Sequence, residues 1–340
     1  MGRFAPYVRD VFPGSRASFP TGPTGSVPDY LERTHWLRYQ EFFPGALRST
    51  TGDCPSELRW SWRGTQLHLD VVQREDAAAK LLALHGIGGY GRMLAPYARL
   101  PSLAGLEYLA PDLPGHGLSP AGAGRSRVTY RHWVDCVIDL LAAERATDRR
   151  PVVLFGLGSG GWLAYQVAAR APDLVAALVL TGLADPRTPE VRRGLAANPG
   201  AGLLSEALAR APLPAAPHRL PLRWLLDITA ISDNARFAAA YAADELGGAG
   251  TVPLELFRSH LRSRPAVAPS DFTGPPVLLA SPEPDRWAPR ACSERFLARL
   301  SAPRRSVHLP GAGHLPRQES ALAELDRAVR YFLDEFRVPH

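Results

Sequence analysis

The strongest constraint on the fold is a series of six short apolar runs separated by helical stretches. Continuous apolar runs suit β-strands that are covered on both faces, because a strand with one solvated face alternates apolar and polar residues. Runs of this kind that alternate with helices predict a mostly parallel sheet, and hence an α/β protein. The runs are residues 80–84, 107–110, 152–155, 175–180, 277–280 and 306–309.

An alternating pattern precedes these runs and predicts a β-hairpin. Residues 58–62 and 67–71 place large apolar side chains at every second position, and Arg63-Gly64 between them supplies a turn. Together with the six runs, the hairpin predicts a sheet of about eight strands in which only one hairpin strand is antiparallel. Apolar residues at helical spacing follow Tyr130 and recur over residues 322–336, as expected for helices that cover the sheet.

The lengths of the intervals between strands suggest how the chain is divided. The interval between the sixth and seventh predicted strands is too long for a simple crossover and contains helical patterns, so residues 186–270 are interpreted as an inserted helical cap. Residues 57–185 and 271–340 would then form one core. Residues 1–56 would form an N-terminal part, an irregular arm followed by a helix over residues 29–43.

Composition and charge exclude several classes of protein. No apolar stretch approaches the roughly 18 residues that a membrane span needs, and the start lacks the apolar core of a signal peptide, so we expect a cytoplasmic protein. Cys54, Cys136 and Cys292 are odd in number and widely spaced, which predicts reduced thiols and no metal site. The net charge is +6, but the arginines are dispersed, which argues against a nucleic-acid partner. The oligomeric state is left open.

Five motifs follow predicted strands, and ligands of open parallel sheets bind at those strand ends. Glycine-rich turns of this kind expose backbone N–H groups, and His and Asp side chains can move protons. We expect no cofactor, because no phosphate-binding signal accompanies the motifs. The motifs are His85-Gly86-Ile87-Gly88-Gly89, Asp112-Leu113-Pro114-Gly115-His116-Gly117, residues 155–162 (FGLGSGGW), residues 282–287 (PEPDRW) and Gly311-Ala312-Gly313-His314.

The third motif also has the glycine spacing of a dinucleotide-binding turn. Gly156, Gly158 and Gly161 satisfy Gly-x-Gly-x-x-Gly. That turn should follow an early strand, however, and the next strand ends without a well-placed acidic residue before Asp185. The dinucleotide interpretation is therefore not favoured.

Taken together, the five motifs in this order resemble the α/β-hydrolase superfamily over about residues 57–338. The resemblance implies a mostly parallel eight-stranded sheet flanked by helices, with a helical cap insertion. It implies that Asp285 is the acid and His314 the base, in the chain order nucleophile, acid, base. It also implies oxyanion donors at the backbone N–H of Ile87 and of the residue after the nucleophile, with the substrate lying against the segment that contains His85, Gly86 and Tyr90.

The sequence departs from the superfamily at the nucleophile. The elbow pattern Gly-x-Ser-x-Gly, aligned on the helix that follows, puts Gly158 in the nucleophile position and Ser159 one residue late. For Ser159 to be the nucleophile, Leu157 would occupy a crowded position that calls for a small residue. Gly158 cannot form an acyl-enzyme, so Ser159 is expected to contribute its backbone N–H.

Three classes of function remain open on these grounds. The first is an enzyme without a serine nucleophile, in which His314 and Asp285 form a base that acts with an oxyanion hole on a small carbonyl substrate. Its reaction would be ester or lactone hydrolysis, or an isomerisation, cyclisation or elimination. The second is an ordinary serine hydrolase that uses Ser159, and the third is a non-catalytic ligand-binding pseudoenzyme. Asp112 and Asp185 are reserve candidates for the acid, with Asp185 more simply explained as a helix cap.

Overall fold

The computed structural model describes residues 29–121, 128–210, 218–283 and 285–340. The irregular arm predicted for residues 1–28 lies outside the described residues. The helix predicted over residues 29–43 is shorter than expected, because regular α-helix covers only His35–Gln40 (α1) and turns flank it.

Eight strands form one twisted sheet, and the order across it is β1-β2-β4-β3-β5-β6-β9-β10. Only β2 runs opposite to its neighbours, since it is antiparallel to both β1 and β4 while the remaining pairs are parallel. The predicted fold, a mostly parallel eight-stranded sheet flanked by helices, is therefore confirmed. The strands are β1 (Ser56–Trp62), β2 (Thr65–Val72), β3 (Lys80–Leu84), β4 (Glu107–Pro111), β5 (Val152–Gly156), β6 (Ala177–Leu180), β9 (Val277–Pro282) and β10 (Arg304–Leu309).

The burial of the central strands explains their continuous apolar sequences. Every residue of β3, β5, β6 and β9 is buried, as expected for strands with helices on both faces. At the sheet edge, the β1–β2 turn uses Arg63 and Gly64 at φ of 48° and 77°, the left-handed conformation that a two-residue hairpin turn requires. The helices that pack against the sheet are α3 (Ser159–Arg170), α9 (Arg290–Leu297) and α10 (Glu319–Glu335), and α2 (Tyr130–Thr147) packs against α3.

The chain between β6 and β9 is mainly helical and also contains a small ribbon. The antiparallel ribbon of β7 (Arg219–Pro221) and β8 (Thr251–Pro253) was not expected, because strands of three residues are too short to show a periodicity. The division of the chain into arm, core and cap stays a prediction. The helices of this interval are α4 (Pro189–Leu195), α5 (Pro199–Arg210), α6 (Leu222–Leu225), α7 (Ala235–Ala242) and α8 (Leu254–Leu261).

Hydrogen bonds join this interval to the segment that follows β3. The Asp244 carboxylate accepts hydrogen bonds from the Tyr39 hydroxyl at 2.6 Å and the Tyr90 hydroxyl at 2.8 Å. The Tyr241 hydroxyl donates to the Gly88 carbonyl at 3.0 Å.

None of the helices in the described ranges is both long and apolar enough to cross a membrane. Cys54, Cys136 and Cys292 are free thiols.

Candidate active site

The turn between β5 and α3 has the backbone geometry of a nucleophile elbow, with a glycine at its strained position. Gly158 stands at φ 56° and ψ −120°, a conformation that residues with a Cβ rarely adopt. Its N–H donates to the Thr181 hydroxyl at 3.0 Å, and the α3 helix begins at the next residue, Ser159. Neighbouring glycines allow close packing, since a Cβ on Gly161 would overlap the Gly182 carbonyl oxygen. The strained turn therefore persists while the side chain that it normally presents is missing.

The His314 imidazole lies where the nucleophile side chain would stand. A Cβ built on Gly158 would lie 2.5 Å from Cε1 of His314 and closer still to Nε2. Real Cβ atoms essentially never approach a neighbour this closely, so the imidazole occupies space that only glycine at position 158 leaves free.

His314 and Asp285 are brought together, as the resemblance implies. Nδ1 of His314 lies 3.0 Å and 2.9 Å from the two carboxylate oxygens of Asp285, and both side chains are nearly inaccessible to solvent. The backbone N–H groups of Trp287 and Ala288 each donate to Asp285 Oδ1 at 2.9 Å, which holds the carboxylate in place. The Trp287 ring packs edge-on against His314, with centroids 4.7 Å apart. A carboxylate at Nδ1 favours the tautomer in which Nε2 carries the free lone pair.

The predicted oxyanion donors lie together, but one of them is already engaged. The Ile87 N–H donates to the Ser159 hydroxyl oxygen at 3.0 Å, so it is not free. Ser159 is the first residue of α3, and its N–H donates to no residue within the described ranges. This N–H is therefore available to a ligand at the positive end of the helix. Within those same ranges, Ser159 Oγ makes no hydrogen bond to His314.

The two other predicted binding residues with side chains have structural partners. His85 lines the cavity, but its Nδ1 donates to the Gly86 carbonyl at 2.8 Å and its Nε2 accepts the Leu113 N–H at 3.0 Å. Burial lowers the pKa of His85 and keeps the ring neutral, which agrees with this pair of bonds. Tyr90 is not among the residues that line the cavity, since its hydroxyl donates to Asp244 and its ring stacks on Tyr30 at 5.4 Å, and its role in substrate binding stays a prediction.

The reserve acids have other roles. Asp112 is fully buried and accepts the N–H of Gly91 at 2.6 Å and the hydroxyl of Tyr30 at 2.7 Å. Asp185 binds the backbone and guanidinium of Arg187, whereas the N-cap of α4 is Thr188. The expectation that Asp185 caps this helix is therefore wrong, because its carboxylate is used within its own turn.

A buried charged cluster next to Asp112 was not anticipated from the sequence. His68 lies 2.8 Å from Glu57 and 3.2 Å from Asp112, while Arg92 donates to both oxygens of Asp70 at 2.6 Å and 2.7 Å. Burial alone would lower the pKa of His68, but the neighbouring carboxylates outweigh it and raise the pKa to about 9. The alternation of β2 puts His68 and Asp70 on one strand face, which was the available signal.

The candidate site opens into a mainly apolar cavity that is partly open to solvent. Gly86, Ile87, Gly158, Ser159 and His314 are among the residues that line it. Its apolar lining comes from several elements and includes Met93, Leu94, Leu157, Val191, Leu195, Leu226, Ile231 and Phe257.

Comparison with known proteins identifies the family. The model described as the alpha/beta hydrolase family matches residues 81–328, well over half of the chain. The chain belongs to the α/β hydrolase family. It is 37% identical over 139 residues to lipase LipV of Mycobacterium tuberculosis, which covers 39% of this chain but only 49% of that lipase. It is 29% identical over 262 residues to the monoacylglycerol lipase of Mycolicibacterium smegmatis, covering 74% of this chain and 86% of the relative.

A solved structure supports the fold of this family member. A soluble variant of monoglyceride lipase from Saccharomyces cerevisiae superposes with a TM-score of 0.69 and covers 86% of this chain and 98% of that chain. Its sequence identity is 16%, so this likeness concerns the fold alone.

Proposed function

We propose that the protein hydrolyses an ester or a lactone by direct attack of water, without an acyl-enzyme. The observation that carries the proposal is the imidazole of His314 above Gly158, where a serine hydroxymethyl group would otherwise intervene. An apolar cavity next to it and the names of the two lipase relatives favour a substrate with an apolar acyl part. The substrate would be a small molecule, and no cofactor enters the reaction.

The proton transfers follow from the two nitrogens of His314. Asp285 accepts a hydrogen bond from Nδ1–H, so Nε2 is the basic nitrogen, and it is the ring atom nearest to the Cβ position of Gly158. Nε2 takes a proton from a water molecule as the water oxygen attacks the carbonyl carbon. The resulting tetrahedral intermediate expels the alkoxide, which receives that proton from Nε2–H. One water is consumed. An ester releases an acid and an alcohol, and a lactone opens to one hydroxy acid.

The developing negative charge on the carbonyl oxygen needs hydrogen-bond donors. The free N–H of Ser159 provides one donor, aided by the dipole of α3. The hydroxyl of Ser159 provides a second, because its oxygen already accepts the Ile87 N–H and its hydrogen can point to the substrate. In this arrangement the Ile87 N–H acts through the Ser159 hydroxyl, or directly when that hydroxyl rotates away.

Two observations make Ser159 a poor nucleophile. Its hydroxyl oxygen faces Gly86 and Ile87 rather than the imidazole, and the described residues offer it no base. A nucleophilic serine needs a base within hydrogen-bonding reach of its hydroxyl.

Proton abstraction from the carbon next to the carbonyl would use the same Nε2 of His314. Deuterium uptake at that carbon in heavy water would reveal this reaction.

The proposal is tested with a panel of short-chain and medium-chain p-nitrophenyl esters and lactones. We expect turnover that His314→Ala abolishes, with no labelling of the natural protein by a fluorophosphonate, which reacts only with nucleophilic serines. Labelling at Ser159 would establish the serine mechanism instead. Absence of turnover on the whole panel, with binding retained, would favour a non-catalytic ligand-binding protein. A cytoplasmic location stays a prediction of the sequence.

A further inference from the structure

The polar side chains that line the cavity differ in how their hydrogen bonds are used. His85, Tyr241, Trp287, Ser159 and His314 each bind a protein group. His260 lines the same cavity, yet its buried Nδ1 has no hydrogen-bond partner among the residues that the structure describes. A buried polar group without a partner is rare in folded proteins, because it forfeits its hydrogen bonds to water. The unpartnered imidazole therefore calls for a ligand.

The position of His260 is fixed by its neighbours. It lies on α8 and is 4% exposed, and the hydroxyl of the preceding Ser259 accepts the Tyr130 N–H at 2.8 Å. The Tyr130 ring packs against the imidazole with centroids 4.8 Å apart. The Tyr130 hydroxyl is also buried without a partner in the described ranges. The ring that packs against His260 thus leaves its Nδ1 without a hydrogen bond, and His260 is the member of this pair that lines the cavity.

The charge state of His260 limits what it can bind. Burial lowers the pKa of His260 to about 4, so the ring is neutral near pH 7. A neutral imidazole offers one N–H donor and one lone pair. A hydroxyl can accept the N–H and donate to the lone pair, and a keto oxygen can accept the N–H. The neutral ring therefore matches such an uncharged oxygen better than it matches a carboxylate or phosphate.

We propose that His260 is a specificity-determining residue that binds a hydroxyl or keto oxygen on the apolar part of the substrate, away from the reacting carbonyl. The substrate class would be hydroxylated or oxo-substituted acyl compounds rather than plain hydrocarbon chains. The inference rests on the proposed function only in placing the reacting carbonyl at His314.

The test measures binding, so that it does not depend on turnover. 2-Octanone serves as an ester analogue without a leaving group, and the positional isomers of hydroxy-2-octanone carry the hydroxyl on each carbon beyond the carbonyl in turn. Dissociation constants come from ligand-observed NMR titrations of the natural protein, His260→Leu and His260→Gln. Phe257→Leu is the matched control, because it alters an apolar lining residue of the same helix.

We expect at least one hydroxylated isomer to bind the natural protein about fivefold more tightly than 2-octanone, the ratio for one net neutral hydrogen bond. The ratio should fall to about one in His260→Leu, be partly kept in His260→Gln, and remain in Phe257→Leu. His314→Ala should also keep it, which separates this inference from failure of the proposed chemistry. An unchanged ratio in a folded His260→Leu, or no preferred isomer in the natural protein, would overturn the inference.

Discussion

Gly158→Ser tests whether the strained position before α3 can hold a nucleophile. A residue with a Cβ at φ 56° costs on the order of 1–3 kcal/mol. The new Cβ would also lie 2.5 Å from Cε1 of His314, whereas ordinary contacts begin near 3.4 Å, so the imidazole must withdraw by about 1 Å. Asp285 and Trp287 hold that ring, which opposes the movement.

We expect Gly158→Ser to unfold in urea with a free energy lower by about 1–3 kcal/mol than that of the natural protein. Once the imidazole has withdrawn, the new hydroxyl lies within its reach and near the Ser159 N–H. The folded variant should therefore react with a fluorophosphonate that leaves the natural protein unlabelled, as intact-protein mass spectrometry would show.

Gly158→Ala is the matched control, because it introduces the same Cβ without a hydroxyl. It should be destabilised to a similar extent and remain unlabelled. It should also lose most turnover on the best ester of the panel, since the methyl group displaces His314 from the attacking water. The reasoning is refuted if folded Gly158→Ser stays unlabelled, or if Gly158→Ala keeps full turnover.

Three further predictions address the base, the oxyanion donors and the buried charges. Asp285→Asn should lower kcat by roughly a hundredfold or more with little change in KM, because the free lone pair of His314 moves from Nε2 to Nδ1. A change in KM as large as the change in kcat would argue against this role of Asp285. Ser159→Ala should change kcat less than about tenfold, since the Ile87 N–H becomes a direct donor, and a loss above a hundredfold would make Ser159 the nucleophile. The pKa of His68 is raised to about 9, so its protonation stabilises the fold below pH 6.5. The unfolding free energy should therefore fall between pH 6.5 and 9, by on the order of 3 kcal/mol at most. The unfolding free energy of His68→Gln should not show this fall.

The sheet could be predicted because its strands differ so clearly in burial. The central strands β3, β5, β6 and β9 are buried throughout and have continuous apolar sequences, while the hairpin alternates. The turn at Gly158 could also be located, because several glycines in a strand-to-helix connection serve close packing. The ribbon of β7 and β8 could not be, since its strands are too short to carry a period.

The interior of the site was less predictable, because hydrogen-bond partners from distant segments decide it. Tyr90 follows the glycine turn and could face a ligand, but its hydroxyl donates a hydrogen bond to the carboxylate of Asp244, which is far along the chain. The Ile87 N–H was expected to be free, and the Ser159 hydroxyl occupies it. His260 had no recognisable motif, and only its position in the cavity distinguishes it from a core histidine.

The central claim is that His314 activates water directly and that no acyl group is transferred to the protein. The most direct measurement is rapid-quench intact-protein mass spectrometry during turnover of the best p-nitrophenyl ester. Direct attack by water should give an unmodified protein mass at every time and no burst of p-nitrophenol, with turnover absent in His314→Ala. An acyl adduct that forms and decays at the rate of turnover, mapped to Ser159, would contradict it.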